Sequence, residues 1–123
     1  MKLKTLIYLT LIILLVSCEK DSELYNRIEG KWKLVKTQDI GNFEEYPTLE
    51  NQRIREFKSN KIHVSYDANG NVSGESNYEL TKTTIILYDD AFRTENLYWL
   101  IDDTLKIRND GGFEYYDEYF IKQ

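Results

Sequence analysis

Past residue 30 the chain alternates between apolar and polar positions with the period of two that marks half-buried strands. Residues 31–38 set Trp32 and Leu34 against Lys31 and Lys33. Residues 52–57 form a weaker strand, because Ile54 and Phe57 differ in parity and imply a bulge. Residues 61–66 set Ile62, Val64 and Tyr66 against His63 and Ser65. Segments 72–81, 83–88, 96–101, 104–109 and 113–121 complete eight predicted strands. Turn residues punctuate them: Asn69-Gly70, Asp102-Asp103 and Asp110-Gly111-Gly112. Residues 39–51, which hold the only proline, Pro47, and residues 89–95 read as longer polar connections. One helical signal precedes the strands, at 22–29. Ser22 is placed to cap it, Leu24, Tyr25 and Ile28 share a face, and Gly30 stops it.

Short connections make sequential strands antiparallel neighbours. An open eight-strand meander leaves two edges, and closure removes them. The expectation is therefore an all-β, eight-stranded antiparallel up-and-down barrel behind a short N-terminal helical turn. Its predicted inward set is Trp32, Leu34, Ile54, Ile62, Val64, Tyr66, Tyr78, Leu80, Ile85, Leu87, Leu105, Ile107, Phe113 and Tyr115. These side chains are bulky. They fill most of so small a barrel and leave room for a small pocket near the mouth at most.

The first residues follow a different rule. Met1 to Lys4 is basic, and residues 5–16 carry no charge. That apolar run is too short for a membrane-spanning helix, and Glu19, Lys20 and Asp21 follow it closely. This is a signal-peptide pattern. Leu15-Val16-Ser17-Cys18 resembles the bacterial lipobox, which implies cleavage before Cys18 and acylation of that residue. Cys18-Glu19-Lys20-Asp21-Ser22-Glu23 is similar to the acidic, lysine-containing export tag of surface lipoproteins in Bacteroidetes-type bacteria. Residues 1–17 are then the signal, 18–29 a lipidated tether and short helix, and 30–123 the barrel. The implied location is the cell envelope, as an outer-membrane lipoprotein exposed at the surface, held to the membrane by its acyl anchor. Cys18 is the sole cysteine, so no intramolecular disulfide forms.

Gly30-Lys31-Trp32, coming after a helical turn and before an all-strand remainder, resembles the G-x-W motif that opens lipocalins. The resemblance spans most of residues 24–123 and implies that Trp32 closes one end of the barrel. It also implies that the long first connection folds over the open mouth, and that a basic residue of the last strand, here Lys122, packs over the indole. The implied activity is binding of a small hydrophobic or amphiphilic molecule.

Charge narrows the partners. Without Lys2 and Lys4 the mature chain holds 14 basic against 21 acidic residues, a net −7, which argues against nucleic acid. The candidate ligand-binding residues are Phe43 and Tyr46 in the long connection, Tyr66, Tyr78 and Tyr115 on the expected inner face, and Asp117. Asp117 interrupts the apolar face of Phe113, Tyr115, Tyr119 and Ile121. It either faces inward with a partner or turns outward into an ion pair. Residues 85–88 and 97–101 are apolar on both faces, so an outer patch needs cover from Leu24, Tyr25 and Ile28 or from a protein partner. His63, on the polar face of its strand, is the only histidine and has no nucleophile or second ligand beside it. Asp67, Asn69 and Asn71 lack the glycine and glutamate that a calcium loop requires. No catalytic residue, metal site or cofactor is expected, and the protein reads as a non-enzymatic binder. The alternative is an accessory protein with a filled barrel that docks a partner through its outer patch.

Overall fold

A computed structural model of the chain describes residues 22–110 and 114–123. The expected signal peptide, Cys18 and the inward placement of Phe113 lie outside the described residues. A helix, α1 (residues 22–28), leads into nine strands. They are β1 (Gly30–Asp39), β2 (Glu44–Glu45), β3 (Ile54–Phe57), β4 (Ile62–Tyr66), β5 (Val72–Leu80), β6 (Thr84–Tyr88), β7 (Arg93–Ile101), β8 (Thr104–Asp110) and β9 (Tyr115–Lys122). Strands β3 to β9 pair in sequence, and β1 pairs with both β3 and β9. The result is a closed antiparallel barrel of eight strands with the lipocalin-like up-and-down order. β2 is a two-residue flank on the upper half of β1. Strand β7 begins at Arg93, so the connection before it is shorter than the sequence suggested. Asp89 tightens that turn by accepting the backbone N–H of Ala91 and Phe92.

One end, the base, is closed by apolar packing. Trp32 is 1% exposed, and its indole N–H donates to the Ile28 carbonyl at 2.7 Å. Ile28 is itself fully buried, so α1 acts as a stopper under the indole. Gly30 joins the two with φ +123°, a conformation that side-chain-bearing residues rarely adopt. A Cβ there would also stand 3.2 Å from the Lys122 stem. The Lys122 ammonium lies 5.4 Å from the Trp32 ring centroid. Leu34, Phe57, Tyr78, Ile85, Tyr98, Leu105, Ile107 and Phe120 complete this core. Phe57 meets Tyr78 edge-on at 5.1 Å.

Paired residues share a face, so the register fixes what points inward. Phe120, fully buried, pairs with both Leu34 and Leu105. Tyr116 and Glu118 therefore share the inner face of β9, while Tyr115, Asp117, Tyr119 and Ile121 lie on the outer one. On β3 the inner face holds Phe57 and Arg55, which pairs with Trp32, and Ile54 points out. Phe57 pairs with His63 and Arg55 with Ser65, so Ile62, Val64 and Tyr66 belong to the outer face of β4. These are corrections to the expected inward set. Parity separates two faces but does not say which one is inner. Val64 is still buried, because its partners Glu56 and Glu75 flank it on the outside. The bulge expected in β3 is absent. Register shifts occur instead in β1 between Leu34 and Lys36, and in β5, where Ser73 is passed over between the partners of Ser65 and Tyr66.

Candidate binding site at the barrel mouth

β3 leaves β1 early. Their pairing runs from Gly30 to Lys33, with a last bond from the Leu34 N–H to the Arg53 carbonyl at 3.0 Å. Beyond it, only the two residues of β2 line that side of β1. The connection between β2 and β3 arches away, and a groove of about 470 Å³ opens between it and the turn after β4. Leu34, Pro47 and Ala68 supply apolar walls, Tyr46 and Ser73 border it, and the Arg53 side chain enters half-exposed. Glu45, Glu50 and Asp67 also border it. The volume lies in the range of small-molecule sites.

Below the groove the interior is polar. Glu118 is 1% exposed. Its carboxylate accepts from Arg53, from Arg55 at 3.2 Å and from the Asn109 amide at 2.7 Å. Burial weakens Arg55's hold on its proton, and the Glu118 charge opposes that. This network ties β3 to β8 and β9 behind β1, where backbone pairing between β1 and β3 has ended. Two guanidinium groups against one carboxylate leave one positive charge beneath the Glu45 and Glu50 rim. Small neighbours make the space: Arg55, Ser65 and Gly74 share one row of the register, and Phe57, His63 and Ser76 the next. His63 is buried against the Phe57 ring at 4.9 Å, and its Nε2 finds no partner among the described residues. Burial, and then the Arg55 charge, push its pKa down to about 3. It is a neutral interior residue, not the polar-face residue the alternation suggested.

The residues proposed from sequence as ligand contacts separate. Tyr46 borders the groove, and its hydroxyl donates to Glu44 at 2.7 Å. Phe43 borders a smaller recess with Tyr116. Tyr78 lies in the closed core, where its hydroxyl donates to the Lys58 carbonyl at 2.9 Å. Tyr66 is outside, donating to Glu56 at 2.6 Å. Tyr115 is outside too, with the Arg108 guanidinium 4.0 Å from its ring centroid. Asp117 takes the outward alternative: Arg108 bonds both its oxygens at 2.9 and 3.1 Å, and Lys106 stands at 3.5 Å. Burial alone would raise its pKa, but Arg108 and Lys106 outweigh that and hold it below the usual carboxylate value. The polar groups at the mouth that the sequence reading missed are Arg53, Arg55, Asn109 and Glu118. Arg53 and Arg55 stand two apart on a face that ends in Phe57, opposite the expected inward Ile54.

Leu24, Tyr25 and Ile28 do not cover the outer patch as one unit. Ile28 and Tyr25 turn into the base, where the Tyr25 hydroxyl accepts the Leu80 N–H at 3.1 Å. Leu24 alone reaches the edge of the patch, beside Trp99 and Ile101. Among the described residues no group of three or more histidine, cysteine, aspartate or glutamate side chains could hold a metal ion. No family model matches the chain, and no curated protein matches it.

Proposed function

We propose that this is a lipid-anchored cell-envelope lipoprotein, without enzymatic activity, whose barrel holds a small amphiphilic molecule at its mouth. The observation that carries the reading is the groove of about 470 Å³ opened where β3 parts from β1. An apolar portion of a guest fits against Leu34, Pro47 and Ala68. Its polar portion meets Arg53 and the Glu45 and Glu50 rim. Trp32, Phe57, Tyr78 and Phe120 fill the lower barrel, so the guest sits in the groove and not deep inside. This favours an amphiphile over the wholly apolar ligand of an empty barrel. Residues 15–18 support the anchor, through their likeness to the lipobox.

A second reading is an accessory role, with docking of a protein through the outer face of β7. Exposed Leu97, Trp99 and Ile101 favour it. Native mass spectrometry of protein extracted from its own envelope separates the two. A small-molecule adduct lost on Leu34→Trp, which blocks the groove, supports the binder. A co-purifying protein chain with an adduct-free barrel supports the accessory role and overturns the first reading.

A further inference from the structure

The two ends of the barrel differ in chemistry. The mouth turns and their flanks carry Glu44, Glu45, Glu50, Asp67, Asp89 and Asp90, opposed by Arg53 and Arg93. The base carries Arg27, Lys31, Lys58, Lys61, Lys82 and Lys122 against Glu23, Glu29, Glu56, Glu79, Asp102 and Asp103, and so is close to balance. In a chain of net negative charge the base is thus the less acidic end, and Arg27 and Lys82 gather there in one recess with Trp99. The same end bears uncovered apolar side chains. Ile101 is 66% exposed, Ile121 44%, Leu97 43% and Trp99 36%. Ile101 and Ile121 share one row across β8, since both pair with Thr104. Trp99 is flanked by Lys106 and Arg108, at 4.5 and 5.1 Å from its ring centroid. A recess of about 210 Å³ joins this face to α1, lined by Leu24, Arg27, Lys82, Trp99 and Ile101.

The described residues begin at this end, with Leu24 of α1 beside Trp99 and Ile101. Cys18 stands four positions before Ser22, so the intervening link reaches at most roughly 14 Å. We infer that the base of the barrel, with Trp99 and Ile101 as its apolar contacts, rests on an anionic bilayer surface. Tryptophan and aliphatic side chains ringed by lysine and arginine suit the headgroup boundary. The cations around Trp99 are drawn to anionic lipid while the acidic mouth is repelled, so the groove faces away from the membrane. A short acyl-anchored link holds that end within reach of the headgroups. The inference rests on the proposed anchor at Cys18.

The two tryptophans make this measurable, because Trp32 is enclosed and Trp99 is not. Full-length protein extracted from its own membranes is reconstituted into phosphatidylcholine–phosphatidylglycerol vesicles, with or without brominated acyl chains. Brominated lipid should lower the emission about twofold, the loss coming from Trp99 at the headgroup boundary. Trp99→Phe should abolish the loss, and Arg27→Glu with Lys82→Glu should weaken it. Floated protein with unquenched Trp99 overturns the inference and leaves the anchor standing. Protein that does not float overturns both. Concentration-dependent shielding of Trp99 from aqueous acrylamide, without vesicles, would assign the face to a second copy and also overturn the inference.

Discussion

Replacing Glu118 tests whether the charge network inside the mouth holds the barrel seam. The carboxylate is 1% exposed and accepts from two guanidinium groups and one amide. The Arg53 side chain is 50% exposed, so water screens its share and its loss contributes little. The Arg55 side chain is only 17% exposed, and it would be left as a buried cation without its counter-ion. Removing one partner of such a pair costs about 3–5 kcal/mol. Weighting toward Arg55, we expect Glu118→Gln to cost about 3 kcal/mol. With an m-value of about 1.5 kcal/mol/M for urea, the unfolding midpoint should fall by roughly 2 M at unchanged slope. Replacing the pair together, Glu118→Leu with Arg55→Met, removes both desolvation penalties and should recover most of the loss. A Glu118→Gln penalty below about 1 kcal/mol would refute the reasoning, as would a double variant whose cost equals the sum of the single ones.

Three further outcomes are expected. Trp32→Ala should lower stability by about 3–5 kcal/mol in chemical denaturation, since the ring is wholly enclosed; a loss of a few tenths would contradict its role as the base plug. His63 is held neutral in the fold, so the unfolded chain binds the extra proton as pH falls below the ordinary 6.5, down toward the folded value of about 3. Stability should therefore drop by about 2.5 kcal/mol between neutrality and about pH 4.5, and His63→Phe should flatten that part of the profile. Asp117, held below the usual carboxylate value by Arg108 and Lys106, adds to the loss as pH falls further, because its charged form is the one the fold favours. Cys18→Ala should shift the protein out of the membrane fraction; undiminished retention would refute acylation as the anchor.

Strand order and closure were legible because turn chemistry and alternation are local. Asp67 accepts the N–H groups of Asn69 and Asn71 at 2.9 Å each, and Gly70 takes φ +81°, as the Asn-Gly signal implied. Asp102 likewise turns the chain with φ +53° between the paired Ile101 and Thr104. The inner face was not legible on β3, β4 and β9, for one physical reason. Hydrophobicity ranks two faces by cost in water, and that ranking fails when charges cancel inside and cations shelter rings outside. On β9 the outer set of Tyr115, Asp117 and Tyr119 is covered by Lys36, Lys106 and Arg108, whose stems and charges lie over the rings. The inner Glu118 looks costly until Arg53, Arg55 and Asn109 are set around it. That grouping comes from β3, β8 and β9, more than 60 residues apart at its widest. The groove has the same origin: the early parting of β3 from β1 leaves no mark in either strand's own sequence.

The groove at the mouth is the centre of this account, and the most direct measurement is the mass of what it holds. Protein released gently from its native envelope should carry a non-covalent adduct of a small amphiphile in native mass spectra. That adduct should vanish when Leu34→Trp closes the groove and persist when Trp99→Phe alters only the outer face. A barrel that emerges free of any adduct, or one whose adduct survives Leu34→Trp, would contradict it.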